Sequence, residues 1–394
     1  MNDPMSILRH LKLPDDSFFL FGPRGVGKST WLHEALPGAR TFDLLDARMM
    51  LTLSRDPTQL GAMIADVASE GWVCIDAVQK VPAVLDEVHR LMSSRRLRFA
   101  LSGSSARKLK RGGANLLAGR AITRHMEGLT AGELGEKFDI GRAIEWGTLP
   151  LVALAPARAV DVLETYVNTY IREEIREEGL VRKIDPFLRF LDVAGLLNGQ
   201  KVVLQNIARE AQVPASNVAN YFSILVDTLV GHWLMPYRPA AKVREVAAAK
   251  FYWFDPGVAR AAARMLHDPL DGSARGFALE TLIFHELRVH DHTQGKGRFI
   301  GYYETGAGSE VDFVIEVRKR TQTKAPVLVA IEVKAARKWN RKWERAIRDL
   351  ADTGKVEVMA MFGVYQGEER LQFDRFVVLP VREFLKELAA GRIY

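Results

Sequence analysis

The chain has 394 residues, 48% of them apolar and 26% charged, with a formal net charge of +7. These proportions are ordinary for a soluble globular protein and leave room for two or three domains. No run of eighteen apolar residues occurs, so no membrane helix is expected. The single cysteine, Cys74, excludes an internal disulfide and a C-x-x-C zinc site, and points to an intracellular, cytoplasmic protein. The opening "MNDPMSILRHLKLPDD" reads as neither a signal peptide nor a spanning segment. The positive charge mildly favours a polyanionic partner such as nucleic acid.

Residues 1–135 alternate apolar strands with helical stretches. "SFFLFG" predicts a strand, followed by a glycine loop and "KSTWLHEAL" as a helix. "WVCID" and "RFALSG" are further strands, with "VPAVLDEVHRLMSS" at helical spacing between them, a βαβ pattern that predicts a parallel sheet. The loop, "GPRGVGKS", fits G-x-x-x-x-G-K-[ST] at every position from Gly22 to Ser29. Its glycines, Gly22, Gly25 and Gly27, let the backbone around Pro23, Arg24 and Val26 curl until its N–H groups face phosphate oxygens. Lys28 would meet the β- and γ-phosphates of ATP. Ser29 would offer its hydroxyl to Mg²⁺, and the helix running through Thr30 adds its positive end. Asp76, at the end of "WVCID", is placed to hold the same Mg²⁺ through water.

The stretch "VCIDAVQKVP" resembles the second motif, hhhhDExQxxP, of AAA+ P-loop ATPases that carry a C-terminal nuclease-like domain. The resemblance covers nearly the whole chain. It implies an ATPase in which the residue after the aspartate polarises the attacking water. Here that residue is Ala77, so the resemblance implies ATP binding with poor hydrolysis. Ala77 is either native or introduced to trap the ATP state, and an isolated mismatch in an intact motif leans towards the second. Gln79 fits the motif and would lie near the nucleotide. In "LSGSSARKL", Ser102 or Ser104 resembles the segment that senses the γ-phosphate, and Arg120 in "LLAGRA" resembles an arginine finger. A finger supplied by a neighbouring copy implies a homo-oligomer, most simply a hexameric ring. The basic run Arg107, Lys108, Lys110 and Arg111 is a candidate contact for a DNA backbone.

Residues 136–265 read as mostly helical. "ARAVDVLETYVNTYIREEIREEG" predicts a long amphipathic helix. "LQNIAREAQ", "VPAS" and "NVANYFSILVDTLV" have the rhythm of a winged helix-turn-helix, with "HWLMPYRP" as the wing. Ser216, Asn217 and Asn220 would face a DNA partner, while Val218, Phe222 and Leu225 point inward.

Residues 266–394 return to mixed α/β. "EVDFVIEV" and "PVLVAIEVKAA" predict strands, and alternation puts Glu310 and Asp312 on one face with Val311 and Phe313 on the other. Glu332 and Lys334 share a face of the second strand. With the strands adjacent, Asp312, Glu332 and Lys334 converge as D-x(n)-E-x-K, the pattern of PD-(D/E)XK nucleases, and the upstream helix "FALETLIFHEL" supplies Glu280. Asp312 and Glu332 would hold Mg²⁺ or Mn²⁺, ions that prefer oxygen ligands. The metal would lower the pKa of a bound water, and Lys334 would orient it. His285, His290 and His292 lack a common zinc spacing and read as structural or surface residues. The expected fold class is therefore α/β: an AAA+-type P-loop parallel sheet, a helical and winged-helix middle, and a restriction-endonuclease-like end. The function expected is ATP-dependent DNA processing on branched or damaged DNA, with branched, duplex or single-stranded DNA as the partner, or an ATP-gated nucleic-acid- or protein-binding regulator with an inactive nuclease fold.

Overall fold

The computed structural model describes residues 7–105, 109, 117–173, 184–239, 248–304 and 308–394. The basic run Arg107, Lys108, Lys110 and Arg111 lies outside these residues, as does the end of the long amphipathic segment after residue 173.

The N-terminal part is a five-stranded sheet in the order β2-β3-β4-β1-β5, with every neighbour parallel. Its strands are β1 (Phe18–Phe21), β2 (Arg40–Asp43), β3 (Trp72–Asp76), β4 (Arg98–Gly103) and β5 (Ile122–His125). The central strand β1 is "FFLF", apolar at every position because both its faces are covered. Phe19 and Phe21 pack with Ile75, Phe99 and the Val84–Arg95 helix. Phe18 and Leu20 pack on the other face with Trp31 and Leu32 of the Lys28–Ala35 helix. That second core is continuous with the middle of the chain, taking in Tyr166, Phe187, Phe190 and Phe222.

In the middle, the helix expected over residues 157–179 runs as α-helix over Ala159–Thr165 and widens to a π-helix over Tyr166–Ile171. Helices Ile184–Leu196, Leu204–Glu210 and Ala215–Asp227 follow. They are interleaved with three antiparallel strands, β6 (Gln200–Lys201), β7 (Gly231–Pro236) and β8 (Lys250–Trp253). Val218, Phe222 and Leu225 are buried, while Ser216 and Asn220 are exposed and Asn217 is half-buried. Most of "HWLMPYRP" is strand β7. The connection to β8 covers 237–249, of which 240–247 are outside the described residues.

The β7 strand also pairs in parallel with β9, so the three middle strands extend a C-terminal sheet to nine. The C-terminal strands are β9 (Phe299–Glu304), β10 (Glu310–Arg318), β11 (Val327–Lys334), β12 (Glu357–Tyr365), β13 (Leu371–Phe373) and β14 (Phe376–Pro380). The order is β13-β14-β12-β11-β10-β9-β7-β8-β6. The β10 and β11 strands are antiparallel, with Phe313 opposite Ile331. The expected alternation in β10 is corrected here. Its pairing with β9 shifts between Val311 and Val314, so Val311 joins Val314 against the Arg345–Asp352 helix. Phe313 joins Ile315 against the Gly272–Gln294 helix. A bulge of this kind re-aims side chains within a strand. Both faces of β10 and β11 are covered, one by the Gly272–Gln294 helix and the other by the Arg345–Asp352 helix.

Phe222 is 1% exposed, with its ring centroid 4.9 Å from that of Phe190, 5.0 Å from Trp233 and 4.8 Å from Phe251. Phe222→Ala should therefore destabilise the protein by about 3–5 kcal/mol, measured as a lowered midpoint in urea unfolding.

Candidate functional site

The carboxyl ends of the parallel strands hold the phosphate loop, the position at which open α/β sheets bind ligands. The loop leaves β1 at Gly22, whose N–H donates to the Gly103 carbonyl of β4 at 3.3 Å. A Cβ at Gly22 would lie 2.0 Å from the Met126 carbonyl oxygen, so only glycine lets the loop pass β5 this closely. Gly25 and Gly27 have φ of +77° and +93°. Curled this way, the backbone turns its N–H groups towards one centre. Lys28 Nζ folds into the loop, donating to the carbonyls of Gly22 at 2.7 Å and Pro23 at 2.8 Å.

Asp76 ends β3, separated from β1 by β4. Its carboxylate accepts from the hydroxyls of Ser29 and Ser102 and, at 2.8 Å, from the Ala77 N–H. The two groups expected to hold Mg²⁺, Ser29 and Asp76, are thus already in contact. Ala77 sits at φ +56° and is 5% exposed, its methyl within the apolar cluster of β3 and β4. One turn on, Gln79 is 6% exposed and donates from Nε2 to Ser104 Oγ at 3.2 Å. Its Oε1 lies against Gly103 and has no hydrogen-bond partner.

Two clasps on the loop have no signal in sequence spacing. Arg9 donates to the Val26 carbonyl at 2.6 Å and the Glu127 carbonyl at 2.8 Å, and is itself held by Glu133 at 2.9 Å. Tyr166, in the π-helical turn, donates from its hydroxyl to the Arg24 carbonyl at 3.0 Å, and Arg24 reaches Glu173 at 3.2 Å. Beside the loop lies an apolar pocket of about 350 Å³, lined by Arg9, Val26, Gly27, Thr30, Trp31, Leu151 and Arg158 among others. Arg120 is at the other end of the sheet. It precedes Ile122, whose N–H donates to the Ser17 carbonyl where β1 begins. A four-residue strand, roughly 13 Å long, separates it from the loop on its own chain. Arg120 is exposed and donates to Ser93 Oγ.

The C-terminal candidates converge. Asp312 Oδ2 accepts from the Val333 N–H at 2.7 Å and lies 3.3 Å from Lys334 Nζ, which is 2.5 Å from Glu332 Oε1. Asp312 and Glu332 are 5% and 4% exposed. Glu280 accepts from the Tyr252 hydroxyl at 2.8 Å. Burial, and then the nearby Asp312 charge, push the Glu280 carboxyl up to about 8. The same two causes hold Glu332 well above the usual carboxylate range. Burial alone would lower Lys334, but Asp312 and Glu332 raise it. Sequence reasoning missed the middle strands' share in this cluster. Lys250 of β8, 4% exposed, is paired with Glu310, and Lys201 of β6 reaches Glu304 at 2.8 Å and Glu310 at 3.3 Å. The available signal was a lysine at the head of the otherwise aromatic strand "KFYW".

Among the described residues, no three His, Cys, Asp or Glu side chains are disposed to hold a metal. The Lys334 ammonium stands between Asp312 and Glu332, and Glu332 Oε2 is buried without a hydrogen-bond partner. His285 and His292 belong to a different cluster, where the N-terminal sheet meets the Gly272–Gln294 helix. Glu127, just past β5, lies 3.6 Å from His285 Nδ1, 3.3 Å from His292 Nδ1 and 2.8 Å from Arg288. Burial would raise the Glu127 carboxyl, but Arg288 and the histidines hold it well below its usual range. His290 packs its ring on the edge of Tyr394.

Residues 15–135 match a family described as an AAA domain. Residues 137–268 match a domain of unknown function (DUF8612), and residues 275–384 match another (DUF4143). No curated protein matches the chain significantly. Among solved structures, the chain is similar to the Aeropyrum pernix Orc1 protein in complex with DNA, at 15% identity over 66% of this chain and 88% of that one. The TM-score is 0.26, and at that value the likeness carries no argument. With the loop geometry, the AAA match makes residues 15–135 an AAA-type P-loop ATPase domain that uses ATP and Mg²⁺. No helix among the described residues is long and apolar enough to cross a membrane.

Lys28→Ala should lower ATP affinity by at least about 100-fold, since it removes the charge that faces the β- and γ-phosphates; calorimetric titration reads this directly. A second expectation concerns pH. The folded-state value of Glu280 is raised from 4.5 to about 8, so the stability it contributes is complete below 4.5 and is lost as pH rises to about 8. The melting temperature of Glu280→Gln should therefore gain on that of the unsubstituted protein between pH 5 and 8.5. A constant difference across that range would contradict the assignment.

Proposed function

We propose that the chain is an ATP-dependent DNA-processing protein in which the AAA-type domain binds ATP and governs a C-terminal PD-(D/E)XK nuclease-like domain. The observation that carries this reading is the convergence of Asp312, Glu332 and Lys334 on adjacent antiparallel strands, with Glu280 on the helix beside them. A strand pair bearing D-x(n)-E-x-K beside a helix with an acid is the arrangement that the sequence pattern predicts. At that site Asp312 and Glu332 would hold Mg²⁺ or Mn²⁺, and the metal would supply a water of lowered pKa and neutralise the phosphate. Lys334 would orient that water once its ammonium leaves the two carboxylates.

Helix, strand, two helices and two strands in chain order over residues 184–253, with the three strands antiparallel, support the winged-helix reading made for residues 202–239. Exposed Ser216 and Asn220 at the head of the Ala215–Asp227 helix are its candidate DNA contacts. The apolar pocket beside Val26 and Thr30 has the room and lining for the nucleotide's base. Arg120, a strand's length from its own loop, can serve only the nucleotide of a neighbouring copy, which supports a ring, most simply hexameric. Alanine at position 77 offers no carboxylate to polarise water, so ATP is held and turned over slowly. Gln79 and Ser104 remain as the polar groups beside the expected γ-phosphate.

A second reading, an ATP-gated DNA-binding regulator with an inactive nuclease fold, is favoured by one observation: Lys334 already neutralises the two carboxylates, and no three-ligand set is formed among the described residues. Incubation with Mg²⁺ or Mn²⁺ and branched, duplex and single-stranded DNA separates the two. Cleavage lost in Asp312→Ala and Lys334→Ala supports the enzyme, whereas equal behaviour of all three proteins rules it out and leaves the regulator. Restoring the carboxylate with Ala77→Glu should raise ATP turnover by about 100-fold; unchanged turnover would remove the role given to this position.

A further inference from the structure

Residues 336–345, "ARKWNRKWER", follow β11 after Ala335 and carry Arg337, Lys338, Arg341, Lys342 and Arg345, all exposed. The one acid in the segment, Glu344, is 1% exposed and turned inward, where it accepts from Arg348 at 2.6 Å and from the Trp339 indole N–H at 3.3 Å. Arg341 lies 3.4 Å from Glu344, and Arg345 lies 3.7 Å from Asp349. Among the described residues, no carboxylate pairs with Arg337, Lys338 or Lys342. A solvated charged face is the usual fate of such a run, but this one is built on a fixed frame. Trp339 packs on Gly363, where a Cβ would come within 2.5 Å of the ring, and meets Trp343 in a T-shaped contact at 5.2 Å. Gly367 allows an equally close approach: a Cβ there would meet the Tyr365 ring at 2.1 Å and the Arg337 carbonyl oxygen at 2.7 Å.

The frame encloses a groove of about 560 Å³, with Arg337, Lys338 and Trp339 on one wall and Tyr365 to Glu369 on the other. The groove opens beside the carboxylate cluster. Tyr365 is the register partner of Lys334, and Arg275, on the helix that carries Glu280, donates to Gln366 at 3.2 Å.

We propose that this groove is the track along which the phosphate backbone of a DNA strand reaches the Asp312–Glu332–Lys334 cluster, with Arg337 and Lys338 of its wall and the neighbouring Lys342 as the phosphate contacts. Cations with no carboxylate to leave gain most from a polyanion, because each phosphate they neutralise releases a condensed counterion. Glu368 and Glu369, exposed on the opposite lip, repel phosphate and confine the backbone to the basic wall. The proposal rests on the DNA-processing reading and assigns it a surface distinct from the helix-turn-helix segment.

The test is fluorescence anisotropy of the full chain with ATP and labelled duplex or single-stranded DNA, titrated at several salt concentrations. The variant Arg337→Ala/Lys338→Ala/Lys342→Ala should bind at least about 10-fold more weakly, and its log–log salt slope should fall by roughly 0.7–0.9 for each contact removed, with ATP affinity unchanged. Glu368→Lys/Glu369→Lys should bind more tightly than the unsubstituted protein, a gain that misfolding would not produce. If the unsubstituted protein binds DNA and both variants match it in affinity and slope, the track is wrong while the DNA reading stands. If the unsubstituted protein binds neither DNA, the DNA reading fails and the track with it.

Discussion

The hydrogen bond between the Ser29 hydroxyl and the Asp76 carboxylate is the contact on which the nucleotide site depends. It joins the helix after the phosphate loop to the tip of β3, across the intervening strand β4, and so fixes where a metal and a triphosphate can meet. Asp76 is also held by Ser102 and by the Ala77 N–H, so its carboxylate is oriented by three donors before any ligand arrives. A group held in position loses little further freedom when it binds, which is the advantage of preorganisation. Lys28 is the movable part: its ammonium rests on two loop carbonyls and must leave them to meet phosphate.

The loop is not isolated from the rest of the chain. Arg9 ties Val26 to the start of the segment after β5, and Tyr166 ties Arg24 to the middle helices. Just beyond β5, Glu127 binds Arg288 and two histidines around the helix that carries Glu280. Strands β6 and β8 bring Lys201, Lys250 and Tyr252 to the carboxylates at the ends of β9 and β10 and to Glu280. The two candidate sites are thus joined through packed strands and the buried Glu127–Arg288 ion pair. Breaking one partner of such a buried pair leaves an uncompensated charge, which is costly. A change at the loop therefore has a physical route to the C-terminal cluster.

Much of this was legible in the residues. The glycine loop, Asp76 and the apolar strands β1, β3 and β4 announce themselves because a parallel sheet buried on both faces demands continuous apolar runs. The edge strands β2 and β5 do not: "RTFD" and "ITRH" are short and largely exposed or half-exposed, so no apolar pattern marks them. The E…D…E-x-K grouping was readable as a juxtaposition, but the facing of β10 was not, because the shift between Val311 and Val314 overrides simple alternation. Arg9, Tyr166, Lys250 and Tyr252 were missed since each acts across a long sequence separation, through folds of the chain that spacing does not encode.

The most direct measurement of the central claim is an experimental structure of the protein with a non-hydrolysable ATP analogue and Mg²⁺. The account predicts the triphosphate within the Gly22–Ser29 loop, Lys28 moved from the Gly22 and Pro23 carbonyls onto the β- and γ-phosphates, and Mg²⁺ between Ser29 and Asp76. A nucleotide bound elsewhere, or Lys28 still on its carbonyls beside a bound triphosphate, would contradict it.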